Sequence, residues 1–328
     1  MIINGVSSES INVYSGVPQG SHLGPILFIM FINEVSQLFK YSDCLLYADD
    51  LKLFKEISSD QNWLDLQFDL DLLHEWCIKH KLDLNISKCK VMSFAMIKKP
   101  TYRNYSIGNV PIERVSSFKD LGVHLDEQLT FRDHIDEIVN KSNCMLGFVK
   151  RITKDFHNPL SIKSLYCALI RSNLEYASII WNPKYNIDDN RIERIQKRFI
   201  LYYLHKTDWS FDQNIPLWQT TRMLPAYSER CNIAELHSLS LRRKVAITLF
   251  ASDIISGRVD VPELLAKISI RIPAKPVRNH SFIYLSTFQS NYLFNAPFPT
   301  ICRNFNQFFT LYDFNMSKVI FKNVLYKN

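Results

Sequence analysis

Residues 44–54 read CLLYADDLKLF: two short apolar runs flank a tight polar turn that carries two adjacent aspartates. Alternation on either side of a turn predicts a β-hairpin with Tyr47-Ala48-Asp49-Asp50 at its tip. Neighbouring carboxylates repel, so their placement on one turn suggests a positive partner. Mg²⁺ takes oxygen ligands and leaves positions for substrate phosphates, and paired ions can activate a hydroxyl and steady a leaving group. The competing reading is an ordinary polar turn, because Asp is common in turns.

The surrounding pattern fits an α+β chain. Residues 2–14 suggest two short strands, with Asn4-Gly5 as a turn and Ile11 and Val13 alternating in the second. A loop, Ser15 to Ser21, leads to a helix expected from Leu23 to Leu38, whose ILFIMFINEV run is apolar almost all round and is expected to be buried. Residues 60–82 predict an amphipathic helix with Leu64, Phe68, Leu72, Trp76 and Ile78 inward. LDLNISKCKVMSFA suggests a turn and a strand, and more strands are expected over 103–125. From about residue 130 the pattern turns helical: 131–152, then Ser161 to Trp181, then Asp188 to Leu204. Residues 271–328 are left unassigned.

Composition excludes several classes. Apolar residues make up 47% and charged residues 22%, with 8 glycines, so the chain is globular rather than disordered. Its 7 cysteines are odd in number, scattered and without C-x-x-C, which argues against a disulfide framework or a zinc site. Cys77 and Cys89 read as small buried apolar residues, and Trp76 and Trp181 as core. The start has no signal-peptide pattern, and an intracellular setting, nuclear or cytoplasmic, is expected. The net charge of +7 is unevenly spread: carboxylates outnumber cations over 1–140, and cations predominate beyond. A basic second half suggests a polyanion partner, weighed equally against a solvated surface.

Several long motifs together resemble the reverse transcriptases of non-LTR (LINE-type, jockey-like) retrotransposons. YADD, SGVPQGSHLGPILFIMFINEV before it, and LDLNISKCKVMSF and FKDLGVHLDEQLTFRDHI after it follow the family's order. LYCALIRSNLEYASIIWNP and IERIQKRFI resemble its thumb region. The resemblance implies a partial polymerase palm at 1–125, an antiparallel sheet with packed helices, then a helical thumb and connection at 126–270. It implies RNA-directed DNA synthesis with Mg²⁺ (or Mn²⁺), an RNA template, a DNA primer and deoxynucleoside triphosphates, and no membrane. Asp49 and Asp50 match the metal-binding aspartates and Tyr47 a residue near the primer end. Pro18, Gln19 and Gly20 match positions near the incoming nucleotide, Lys88 a lysine facing its phosphates, and Leu121 and Gly122 the turn that steadies the primer.

The family's third carboxylate lies in an upstream motif that residues 1–14 do not contain, so the chain is expected to be truncated and inactive alone. A non-catalytic nucleic-acid-binding remnant is the alternative, and a pseudogene product with no stable fold a third. For either of the first two, Arg191, Arg194 and Arg198 fall on one helical face, preceded by Lys150, Arg151 and Arg171, and are expected to contact phosphates. Glu193 and Asp189 are the carboxylates expected to pair with some of them. The bland alternative is a solvated helix face.

Overall fold

The computed structural model describes residues 2–3, 6–7, 16–17, 20–94, 102–207, 225–271, 281–288 and 290–327. It contains two compact units, Met1–Phe118 and Lys119–Asn328.

In the first unit, β1 (Ile2–Ile3) pairs antiparallel with β2 (Val6–Ser7). The expected alternation at Ile11 and Val13 lies outside the described residues. Helix α1 (Leu23–Ile32) begins where the Leu23 N–H meets the Ser21 hydroxyl at 3.2 Å, and it tightens into a 3₁₀ segment at Asn33–Gln37. Strands β3 (Asp43–Tyr47) and β4 (Asp50–Phe54) form the expected hairpin. Helix α2 (Asp60–His80) opens with a reciprocal cap between Ser59 and Asn62, and Lys81 closes it in the left-handed region.

A small core joins Val35, Leu73, Trp76 and Cys77, with Leu51 and Leu53 of the hairpin against them. This corrects the expected stripe on α2. Leu64, Phe68 and Ile78 are exposed, and Asp69, Leu73, Trp76 and Cys77 are the buried positions. The buried face lies one residue on from Leu64, Phe68 and Leu72 and shares Trp76 with the expected stripe.

The expected burial of α1 also fails. Leu23, Ile26, Leu27, Ile29 and Met30 are all exposed, Met30 at 69%. The helix meets mainly the 3₁₀ segment that continues it, and Phe31 reaches Trp76 at 5.4 Å between ring centroids. Each such side chain would contribute roughly 1.5–3 kcal/mol if fully covered.

Beyond α2, a 3₁₀ turn (Ile86–Lys88) leads into β5 (Lys90–Val91). Strands β6 (Ser106–Ile107) and β7 (Val110–Pro111) form a hairpin, and β8 (Glu113–Arg114) runs parallel to β5. Strands β9 (Ser117–Asp120) and β10 (Val123–Asp126) complete the set. The chain thus mixes helix and strand. Among the described residues its strands pair only in twos, rather than in one antiparallel sheet.

The second unit, which includes β10, is otherwise mainly helical. Helix α3 (Arg132–Ile152) begins one residue later than expected, after Phe131 at φ 59°, and ends where expected. The next helix starts earlier than expected: Asn158 caps α4 (Pro159–Leu165) by accepting the Leu160 N–H. A π-helical stretch (Tyr166–Arg171) and α5 (Ser172–Glu175) follow. Ala177, at φ 51°, then breaks the axis before α6 (Ser178–Trp181). Helix α7 is Asn186–Lys206, with Ile192, Ile195 and Phe199 buried as expected.

One core gathers α3, the π-helical stretch, Trp181 and α7. A second is built on the Leu239–Ile255 helix, where Phe282, Ile283, Phe305, Phe321 and Leu325 pack. Trp76 and Trp181 are buried as expected, and all seven cysteines are free. Cys77 is buried, whereas Cys89 is only half-buried. No helix among the described residues is long and apolar enough to cross a membrane.

Candidate functional site

The β3–β4 register fixes which side chains share a face. Tyr47 opposes Asp50, Leu45 opposes Lys52, and Asp43 opposes Phe54. Directly opposed residues project to the same side. On this outer face Tyr47, at 66% exposure, stands beside the exposed Asp50. The inner face holds Cys44, Leu46, Leu51 and Leu53 toward α2. The two-residue turn is Ala48-Asp49. Ala48 lies at φ 53°, a left-handed conformation that costs a residue with a side chain roughly 1–2 kcal/mol. The carboxylates of Asp49 and Asp50 therefore sit exposed on a strained tip.

Helix α2 holds both outer ends of this hairpin. The buried Asp69 carboxylate accepts the backbone N–H groups of Lys40 (3.0 Å), Tyr41 (3.0 Å) and Ser42 (2.8 Å) where the chain enters β3. Where it leaves β4, the Lys55 ammonium donates to the Tyr41 carbonyl at 2.6 Å and lies 3.4 Å from Asp65. Sequence reasoning missed Asp69. The available signal was an acid one and two turns before Leu73 and Trp76.

The other expected site residues are distributed as follows. Pro18 and Gln19 lie outside the described residues. Gly20 is exposed at φ 85°, just before α1. Lys88 ends the 3₁₀ turn before β5, its backbone N–H donating to the Asn85 carbonyl and its exposed ammonium without a hydrogen-bond or ion-pair partner among the described residues, whereas nearby Lys90 pairs with Glu113.

In the second unit, Leu121 (φ 44°) and Gly122 (φ 85°) form the β9–β10 turn. The Tyr176 hydroxyl donates to the Leu121 carbonyl at 2.9 Å, and a side chain at Gly122 would meet the Tyr176 ring at 3.2 Å. The Trp181 indole N–H in turn donates to the Tyr176 carbonyl at 2.7 Å. Tyr176 was not singled out from sequence.

Arg191, Arg194 and Arg198 come together in a cavity of about 170 Å³ with Val139, Asn143 and Ile195. Their pairing differs from expectation. Arg191 is held by Asp136 and Asp188, which raise its pKa. Glu193 is buried instead, accepting from the Tyr227 hydroxyl and from the backbone N–H groups of Leu239 and Ser240 at 3.1 Å each. Asp189 pairs with the buried Arg243. Arg198 donates to the Asn143 side-chain oxygen at 2.8 Å. Lys150 lies over the Tyr202 ring, and burial followed by the charge of Arg198 lowers its pKa. Arg151 is exposed, and Arg171, in the π-helical stretch, does not line the cavity.

The oxygens of Asp49 and Asp50 are the donor type that Mg²⁺ takes, and such an ion is commonly held by one or two carboxylates plus substrate phosphates. Among the described residues, no group of three or more His, Cys, Asp and Glu side chains is placed to hold a metal. The turn thus carries two adjacent carboxylates.

Residues 1–125 match the family described as reverse transcriptase (RNA-dependent DNA polymerase). The chain is 26% identical over 234 residues to the probable RNA-directed DNA polymerase from transposon X-element of Drosophila melanogaster, covering 68% of this chain and 25% of that one. It is 26% identical over 267 residues to the RNA-directed DNA polymerase from mobile element jockey of Drosophila funebris, covering 74% of this chain and 28% of that one. It therefore spans about a quarter of the length of these curated relatives. No solved structure matches it significantly.

Proposed function

We propose that this chain, a relative of the RNA-directed DNA polymerases of non-LTR retrotransposons, serves in RNA-templated DNA synthesis as part of the polymerase. The observation that carries this reading is the exposed Asp49–Asp50 pair on a strained hairpin tip whose ends are tied to α2. Asp49 and Asp50 would hold Mg²⁺, with Mn²⁺ as a substitute. Bound there, the ion would offset charge on the triphosphate and favour the ionised primer hydroxyl.

In the reaction, the primer 3′-hydroxyl gives its proton to solvent water, its oxygen forms a bond to the α-phosphorus of a deoxynucleoside triphosphate, and the bond to pyrophosphate breaks. Lys88, exposed and uncommitted among the described residues, faces the phosphates and gives a proton to the leaving pyrophosphate. Tyr47 shares a face with Asp50 and lies near the primer end. Pro18, Gln19 and Gly20 border the nascent base pair. Leu121 and Gly122 steady the primer. Lys150, Arg151, Arg171, Arg194 and Arg198 contribute positive charge toward the template–primer backbone, and Arg191 serves mainly to join α3 to α7.

Primer extension on an RNA template with Mg²⁺ and deoxynucleotides tests this reading, beside an Asp49→Ala control. Extension that vanishes in the control supports it, and equal extension in both removes Asp49 from the chemistry. A second reading, a remnant that grips nucleic acid without copying it, is favoured by the cationic seam between α3 and α7. Salt-sensitive duplex binding with no extension would select it.

A further inference from the structure

The Leu121–Gly122 turn joins the paired strands β9 and β10, and both of its residues have positive φ, 44° and 85°. Two-residue hairpin turns of this kind favour Asn-Gly, because a residue with a side chain is strained in the left-handed region. Leu121 is therefore a poor choice for the first position, and at 42% exposure it gains little from burial there. Such strain persists only where the surroundings over-determine it, and it gathers at sites that hold a ligand.

Tyr176 supplies that constraint. A turn's own hydrogen bond closes on the residues either side of it, so the Leu121 carbonyl is left to an outside donor, and the Tyr176 hydroxyl takes that place at 2.9 Å. The ring lies against Gly122, where a Cβ would stand 3.2 Å from its Cε1. Tyr176 is in turn fixed on both sides of its own backbone. Its N–H donates to the Ser172 carbonyl at 3.0 Å, and its carbonyl accepts the indole N–H of the fully buried Trp181 at 2.7 Å, around the break at Ala177. The Tyr176 side chain is nevertheless 57% exposed, so the core does not depend on it. The strands of the same hairpin are held to α3, where Glu137 pairs with Lys119 at 2.6 Å and with His124 at 2.5 Å. All of these residues lie in the second unit.

We infer that Tyr176 is a positioning residue for the primer end: its hydroxyl and ring select the strained conformation of the Leu121–Gly122 turn, so that the helical unit, rather than the hairpin alone, sets where the turn meets the primer. The inference rests on the reading of this turn as one that steadies the primer, and it adds the residue that makes the turn fit to do so. Without Tyr176 the Leu121 carbonyl has no donor and the space beneath Gly122 is empty, so a Leu-Gly turn relaxes toward conformations with less strain. Tyr176 acts through the turn. Its loss should therefore misplace the primer end while leaving the hold on the duplex unchanged.

The test is photo-crosslinking of the full chain to an RNA–DNA hybrid with a photoreactive thiothymidine at the 3′ end of its DNA strand, the crosslinked peptides being located by mass spectrometry. Affinity for the same hybrid is followed by fluorescence anisotropy, and thermal melts confirm that each variant is folded. In wild type the crosslinks should fall at Leu121 and Gly122. Tyr176→Phe keeps the ring and loses one hydrogen bond, and it should lower their yield about fivefold. Tyr176→Ala loses both contacts and should lower the yield further, at wild-type affinity for the hybrid. A tyrosine with a structural role alone would shift the melting temperature and leave the crosslinks of the folded variants in place. Wild-type yield at the turn in folded Tyr176→Ala would thus overturn the positioning role alone. Yield and affinity that fall in proportion would also overturn it, by placing Tyr176 in the hold on the duplex. Wild-type crosslinks that avoid the turn, or a wild type that does not bind the hybrid, would overturn the primer reading of the turn and this inference with it.

Discussion

The carboxylate of Asp69, in the middle of α2, accepts the backbone N–H of Ser42 at 2.8 Å across 27 residues of sequence. The same carboxylate takes the N–H groups of Lys40 and Tyr41, so one buried side chain fixes the path into the hairpin that carries Asp49 and Asp50. Asp69→Ala should leave these donors unpaired and lower the stability of the first unit by about 2–4 kcal/mol. Asp69→Asn keeps one acceptor oxygen and should lose less. Urea unfolding followed by fluorescence of Trp76, in the same core, measures both; an unchanged midpoint in Asp69→Ala would reject the anchor.

The Leu121–Gly122 turn makes a separate prediction. Gly122 has φ 85°, and an added side chain meets the Tyr176 ring at 3.2 Å. Gly122→Ala should therefore cost about 1–3 kcal/mol from backbone strain and crowding together. Tyr176→Phe removes only the hydrogen bond to the Leu121 carbonyl and should cost about 1 kcal/mol. Thermal melts of the two variants should rank in that order, and the reverse order would contradict the packing of Tyr176 on the turn.

Glu193 is a buried charge whose oxygens are occupied by Tyr227, Leu239 and Ser240. It holds the start of the Leu239–Ile255 helix against α7. Glu193→Ala should cost about 2–4 kcal/mol, because it leaves buried neutral donors unpaired. Glu193→Gln should retain part of that. Denaturant midpoints at neutral pH give the comparison. A loss of under about 1 kcal/mol for the alanine variant would show that these donors find other partners.

His134 predicts the pH response. Its ring is buried with Nε2 unpartnered and its edge against Trp181, and burial, aided by the nearby His124, lowers its pKa from 6.5 to about 4. The folded state thus favours the neutral ring. The resulting stability is fully present above pH 6.5 and is lost as pH falls toward 4, by about 3 kcal/mol at most. Glu137, whose pKa the Lys119 hydrogen bond lowers, adds its loss only below the ordinary value of 4.5. Melting temperatures from pH 7 to pH 4.5 should fall in wild type and fall less in His134→Phe. Parallel profiles would remove His134 as the source.

The hairpin, α2, α3 and α7 were legible because their signals are local: alternation around YADD, apolar residues at helical spacing over 60–82, and the Ile192, Ile195 and Phe199 stripe. What failed depended on tertiary partners. Apolar periodicity cannot reveal that Asp69 is buried, since its burial depends on three backbone donors from another segment. The exposure of α1 was hidden for the same reason, because a uniformly apolar helix says nothing of what covers it. The break at Ala177 has neither Gly nor Pro to mark it. The acidic tip and the cluster of arginines were visible as residue types, but the assignment of Asp136 and Asp188 to Arg191, leaving Arg194 open, required the helices to be placed side by side.

Holding of a divalent ion at the Asp49–Asp50 turn underlies the polymerase reading, and paramagnetic relaxation by Mn²⁺ measures it without requiring turnover. In amide NMR spectra, substoichiometric Mn²⁺ should broaden the signals of Tyr47 through Leu51 first, and excess Mg²⁺ should restore them. The effect should be lost in Asp49→Ala. Broadening that spares this turn, or that persists unchanged in Asp49→Ala, would contradict the assignment of the ion to these two aspartates.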